Sequence, residues 1–180
     1  NKIPNRTLAE IIHNNLELYG PPQFSEKEQV FAREMQKYAG IPQSGLDTTV
    51  VPLGYSETII SDTSEFSWNA PYATFWLALG PKGGGWHNWM VTACAGGSIG
   101  KKVLSRAAQI MSASVIDLIC QPEALSRAKK EWAERMGGRV YKSLLPENHV
   151  APLGVNRSIM ESFYGNTRAR LSRLQDDLST

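Results

Sequence analysis

The longest helical signal in this chain is apolar around most of its circumference, and that constrains what the rest can be. Gly96-Gly97-Ser98 turns the chain into it, and Val103, Leu104, Ala107, Ala108, Met111, Val115, Ile116, Leu118 and Ile119 follow, with small Ala and Ser elsewhere. Such a helix needs cover on more than one side, so it is expected to pack against a sheet or between layers. With 180 residues, 42% of them hydrophobic, the chain has material for one core, or one domain with an appendage. A net charge of +2 lacks the footprint of a nucleic-acid binder, so no nucleic-acid partner is expected. Cys94 and Cys120 are too few and too far apart for a disulfide framework, and both read as small buried residues in a reducing compartment. No apolar run approaches the length of a membrane span and the start lacks a signal-peptide pattern, so the expectation is a cytoplasmic protein with no membrane partner.

In chain order, Thr7-Leu8-Ala9-Glu10 has capping-box spacing, and Leu8, Ile11, Ile12 and Leu16 share one face of a helix that Gly20-Pro21-Pro22 stops. His13 sits beside that stripe and reads as a solvated helix residue. Ser25-Glu26-Lys27-Glu28 repeats the capping box and opens a second amphipathic helix reaching to Gly40. From Ile41 to Asp62 the pattern dissolves into a long loop, with Val50-Val51 and Ile59-Ile60 as its apolar pairs. Tyr72 to Leu79 is a β-rich apolar run closed by Gly80-Pro81, which suits a strand buried on at least one face. Trp89 to Ala95 reads as a second short extended piece. Pro122 restarts the chain in a charged helix to Met136, stopped by Gly137-Gly138. Val140 to Leu145 suits a terminal strand, and Ile159 to Leu178 a closing helix with Arg168, Arg170 and Arg173 on a solvated face. No repeat and no clean linker divides the chain, and Asn1 leads toward the first helix as though something preceded it.

The candidate site is Gly83-Gly84-Gly85-Trp86-His87-Asn88-Trp89. Three glycines allow unusual φ values and close approach, and two tryptophans bracket His87, whose neutral imidazole is a common transition-metal ligand. A packed loop histidine bonded to backbone is the alternative, and spacing alone does not separate the two. Loops as long as 41–62 are often functional, so Asp62 and Glu65 form a second candidate element, or else a helix cap or solvated turn. Trp68, Trp76, Trp86 and Trp89 leave open a binding protein for an aromatic ligand, although tryptophans so spaced are more often core. Ala95-Gly96-Gly97-Ser98-Ile99-Gly100-Lys101-Lys102 approaches a phosphate-binding loop but has Ala95 for the first glycine and Lys102 where a magnesium-binding hydroxyl would stand, so it reads as a glycine-rich helix start. His149, in a Pro-flanked loop, has no convergent partner.

The order Asp62-Thr63-Ser64-Glu65-Phe66-Ser67-Trp68, an apolar run, Gly85-Trp86-His87-Asn88-Trp89, then Ser98-Ile99-Gly100-Lys101-Lys102 and a long Ala-rich helix resembles the C-terminal part of the aminoacylase and carboxypeptidase superfamily. Ile3-Pro4-Asn5-Arg6-Thr7-Leu8-Ala9-Glu10 and Gly20-Pro21-Pro22-Gln23-Phe24 resemble its p-aminobenzoyl-glutamate hydrolase branch, and the likeness covers most of residues 3 to 146. It implies an α/β fold class: a fragment of a layered α/β metallopeptidase-like catalytic domain, helix-rich with a few short strands. Residues 1–180 would be the C-terminal portion, without the N-terminal half and the lid domain used for dimerisation. The implied activity is metal-dependent hydrolysis of an amide between an acyl group and an amino acid, in an acyl-amino acid or dipeptide substrate, by two divalent ions (zinc or manganese) and a glutamate base. His87 matches the family's last metal ligand; Asp62, Glu65, Trp86 and Asn88 match positions beside the site. No catalytic residue falls in this chain, because the other ligands and the base lie in motifs it lacks, and relatives have His-Lys-Gly where it has Lys101-Lys102-Val103. This chain would supply part of a site in a homo-oligomeric enzyme, and alone it need bind no metal. A non-catalytic module retaining the fold is the other reading.

Overall fold

A computed structural model describes residues 2–54, 62–152, 154–165 and 167. The chain divides into two units, Asn1–Tyr141 and Lys142–Thr180. The first contains α1 (Arg6–Tyr19), α2 (Glu26–Tyr38), α3 (Ser64–Asn69), α4 (Trp89–Ala95), α5 (Ser98–Cys120) and α6 (Pro122–Met136). In the second unit, helical turns cover 157–165.

The chain is mostly α. Among the described residues there is no strand, and the single β-like pairing is an isolated bridge between Leu46 and Pro81. This overturns the expected α/β layering. Tyr72–Leu79 is extended as its side chains dictate, but an extended run becomes a strand only when another pairs with it, and none of the described residues does. Trp89–Ala95 is helical because Asn88 caps it, accepting from the amides of Met90 and Val91 at 2.9 and 3.3 Å. Residues 140–145 form no strand. Ile59, Ile60, Arg168, Arg170, Arg173 and the far end of the expected closing helix lie outside the described residues.

The helix ends show which local signals are obeyed. Ser25 and Glu28 form the expected reciprocal capping box at α2. At α1 the cap is Asn5, not Thr7: its Oδ1 accepts from the Leu8 amide at 3.0 Å. The carboxylate that serves the remaining first-turn donors is Glu131 of α6, which accepts from the amides of Arg6 and Thr7 at 2.7 and 2.9 Å and from the Thr7 hydroxyl at 2.8 Å. Glu10 instead pairs with Arg6 on the surface. Burial alone would raise the Glu131 carboxyl, and these amides, the hydroxyl and Arg135 together hold it below its ordinary value.

The principal core gathers Ala32 and Met35 of α2, Leu46, Met90 and Cys94 of α4 and Ile99 of α5, with Phe24, Ile41 and Val103 packed against it. Cys94 is fully buried as expected, and burial pushes its thiol up; Cys120, at the end of α5, is exposed, contrary to expectation. The helix α5 packs against α1, α4 and α6 through one narrow side. Its buried residues are Ile99, Ile110 and Ser114, and the Ser114 hydroxyl, Asp117 and Asn15 of α1 form a polar seam in which Asn15 Nδ2 donates to Asp117 at 2.6 Å. The sheet or second layer expected against this helix is absent among the described residues, and Leu104, Met111, Val115 and Ile119 face outward, 72%, 58%, 53% and 71% exposed. With a mean hydropathy of 1.4 over its most apolar stretch, this 23-residue helix is long and apolar enough to cross a membrane, although polar residues interrupt every apolar run within it.

Gly100 fixes the α4–α5 junction, since a Cβ there would lie 2.1 Å from the Ala95 carbonyl oxygen. Beside it, the buried Glu28 carboxylate accepts from the Ser98 hydroxyl and the Lys102 ammonium, each at 2.6 Å. The residues that mimic a phosphate-binding loop thus already hold an anion, a carboxylate of this same chain. Burial would raise Glu28, but Lys102, Ser98 and the Ser25 donors outweigh it and bring the pKa to about 2 from 4.5. The stabilisation from a depressed carboxyl is complete above the unfolded value and is lost as pH falls through the folded one. Glu28→Gln should therefore lower unfolding free energy at pH 7 by about 2 kcal/mol, and urea titrations should show the wild-type advantage shrinking between pH 4.5 and pH 2.

Candidate functional site

The glycine-rich loop is held at its base by α2. Gln36, fully buried, accepts from the Gly45 amide through Oε1 at 2.8 Å and donates from Nε2 to the Lys82 carbonyl at 2.8 Å. The Lys82 amide donates to the Gly45 carbonyl at 2.8 Å, and Lys82 Nζ lies 3.0 Å from Asp47. Bonds from Thr49 and Lys82 bring the Asp47 carboxyl to about 2. One carboxamide and one ion pair thus clamp residues 44–47 to the strip that leads into the loop. A Gln beside the apolar Met35 on an amphipathic helix was the available signal, but sequence gives no way to see which loops it joins.

Beyond Lys82 the chain turns through Gly83 and Gly85, at φ 79° and 75°, and reaches His87 at φ 54°. His87 is the only non-glycine residue with positive φ among those described, a conformation that a β-carbon disfavours. Asn88 holds the turn closed: its Nδ2 donates to the Gly84 carbonyl at 2.6 Å while its Oδ1 caps α4. Gly84 is needed for close approach, because a Cβ would meet the Pro81 carbonyl oxygen and the Met90 methyl at 3.0 Å. His87 is exposed and makes no hydrogen bond or ion pair to any described residue, so the packed, backbone-bonded histidine is not what the loop contains.

The other expected site residues are dispersed in role. Asn88 is structural, a cap and loop latch. Trp86, exposed, sits edge-to-face with Trp76 at 4.7 Å. Trp89 meets Tyr38 at 5.8 Å, and Trp68 lies under the Arg139 guanidinium at 5.2 Å, so the four tryptophans belong to separate pairings rather than one ligand cage. Asp62, exposed, accepts from the Thr63 amide at 2.8 Å in the turn before α3, and Glu65 stands exposed in the first turn of that helix, the solvated turn that the sequence left open. Among the described residues, no group of three or more His, Cys, Asp or Glu is assembled that could hold a metal. His13, half-buried, lies 3.2 Å from Glu17 and lines a groove of about 370 Å³ between α1, residues 51–54 and the extended run 72–76. That groove was not foreseen.

The chain is 22% identical, over a 174-residue alignment, to a subunit of p-aminobenzoyl-glutamate hydrolase from Escherichia coli (strain K12). The match takes in 81% of this chain and 36% of that protein, so the chain spans about a third of the relative's length. No family model and no solved structure matches.

The clamp and the strained turn make opposite predictions. Gln36→Leu strands the Gly45 amide and the Lys82 carbonyl in the interior and should cost about 2–3 kcal/mol. His87→Gly relieves the left-handed conformation, so its thermal midpoint should equal or exceed that of wild type, whereas β-branched His87→Val should fall below it.

Proposed function

We propose that this chain supplies part of a metal-dependent amidohydrolase, a cytoplasmic and homo-oligomeric enzyme when complete, that cleaves the amide between an acyl group and an amino acid in substrates of the p-aminobenzoyl-glutamate kind or in dipeptides. The support is the likeness to a relative named as a hydrolase subunit, with the order of short motifs around His87. One observation carries the assignment of that residue: His87 is exposed and unbonded at the tip of a loop whose base is firmly clamped, which suits an imidazole that ligates rather than one that packs.

A metal does not fit the described residues by themselves. A catalytic zinc ordinarily takes three protein ligands, and His87 is one. This chain therefore contributes a single ligand for zinc or manganese and no hydrolytic step of its own. Asp62, Glu65 and Trp86 are assigned to positioning of loop or substrate, and Asn88 to holding His87 in place. The remaining ligands and the general base come from elsewhere in the complete enzyme.

The test is His87→Gly in the complete enzyme, chosen because it spares the backbone. Metal analysis should show loss of at least one equivalent and amide hydrolysis should fall more than a hundredfold, with the thermal midpoint of the metal-free protein at or above that of wild type. Full metal occupancy with unchanged turnover would remove His87 from the site.

A further inference from the structure

The loop that follows α1 and the first turns of α5 enclose an open groove of about 340 Å³ that has no part in the proposed reaction. One wall is Pro22 and Gln23, and the other is Lys101, Lys102, Ser105, Arg106 and Gln109. Lys102, Ser105, Arg106 and Gln109 recur on one face of the helix, with Lys101 at its edge. None of the lining residues is acidic, and every one but Pro22 carries a side-chain hydrogen-bond donor. A groove lined by donors and cations, without a carboxylate, selects for anions.

Both walls are fixed by bonds within the chain. On the loop side Pro22 is buried, the Gly20 amide donates to the Leu16 carbonyl at 2.9 Å, and Gln23 Nε2 donates to the Pro21 carbonyl at 3.3 Å. On the helix side Arg106 donates through Nη1 to the Tyr19 carbonyl at the end of α1, which ties the guanidinium to the loop and leaves its other donors for a ligand. Lys102 donates to the buried Glu28 at 2.6 Å and stays 39% exposed. Lys101 is exposed, and its ammonium bonds to no described residue. Glu28 answers the charge of Lys102, and no carboxylate among the described residues pairs with Lys101 or Arg106.

We infer that this groove binds a small molecule carrying two oxyanionic groups, carboxylates or phosphates, one held by Arg106 and the other by Lys101. The two unpaired cations start about 7 Å apart along the helix axis, which suits two anionic groups better than one. An anchored guanidinium takes a carboxylate or phosphate through two parallel bonds, and the lysine adds a point charge that can follow the second group. The groove has the size of a small-molecule site. A nucleic-acid strand needs a longer track of cations, and beyond Arg106 the rest of α5 carries no Lys or Arg.

The experiment is calorimetric titration of the protein purified from cells carrying its own gene, stripped of metal so that no bound ion competes for anions. The probes are glutarate and pyrophosphate, each with two anionic groups, and acetate and inorganic phosphate as their one-group counterparts. Glutarate or pyrophosphate should bind saturably with a Kd of about 1 mM or tighter, and at least tenfold more tightly than its counterpart. The tighter of the two assigns the site to dicarboxylates or to phosphorylated molecules. Lys101→Gln and Arg106→Gln should each weaken binding at least fivefold, while Lys129→Gln, exposed on α6, should leave it unchanged. Lys101 has no bond within the chain to lose, so Lys101→Gln gives a reading even where Arg106→Gln loosens the loop at Tyr19. The inference is overturned by the absence of saturable binding, by equal affinity for one-group and two-group probes, or by unchanged binding in Lys101→Gln. An equal loss in Lys129→Gln, or tighter binding of a single-stranded oligonucleotide than of either probe, overturns it too. These readouts involve neither metal nor turnover, so a failed anion site and a failed hydrolase assignment are told apart.

Discussion

With no ladder among the described residues, the segments that join the helices are held by other means, and two buried carboxamides supply several of the bonds. Asn5 caps α1 through Oδ1, donates from Nδ2 to the Ala128 carbonyl of α6 at 2.8 Å, and through its own amide holds the Tyr72 carbonyl. Gln36 does the corresponding work for α2, residues 44–45 and Lys82. Each of the two residues, through its side chain and in Asn5 also through its backbone amide, joins three stretches of the chain. Removing either would leave several interior groups unpaired at once, which is why such residues weigh more than their small apolar area suggests.

The carboxylates extend the same logic. Glu28, Glu131 and Asp47 each accept from several donors, and each is held below its ordinary range for that reason. None faces another carboxylate in these bonds, so they serve as internal anions for helix starts and loop amides rather than as acid–base machinery. The resemblance to a phosphate-binding loop at Gly96–Lys102 has its explanation there: the residues that would attract a phosphate are the ones that neutralise Glu28.

Local signals were legible in the sequence and pairing was not. Ser25–Glu28, Pro122 and Gly137 act within one turn of chain, and each marks the boundary it was expected to mark. The capping of α1 failed because the carboxylate nearest in space, Glu131, is more than a hundred residues away, while the nearer Glu10 has Arg6. Tyr72–Leu79 has the composition of a strand, but a strand is a relation between two segments, and composition describes only one. Trp89–Ala95 went the other way because Asn88 supplied a cap that the apolar pattern concealed. At the site, the prominence of His87 was visible in the glycines around it; the Gln36 clamp that makes its position definite was not, since nothing in a single sequence links residue 36 to residue 82.

The tight junction at Gly100 has a mechanical meaning. Residues Gly96 and Gly97 separate α4 from α5, and Gly100 lies so close to the end of α4 that a β-carbon there would sit 2.1 Å from the Ala95 carbonyl oxygen. The two helices form a close elbow, one arm beginning just past the His87 turn and the other running the length of α5. Any side chain at position 100 has to part the two arms, and so changes the angle at which α4 carries the His87 turn past α5.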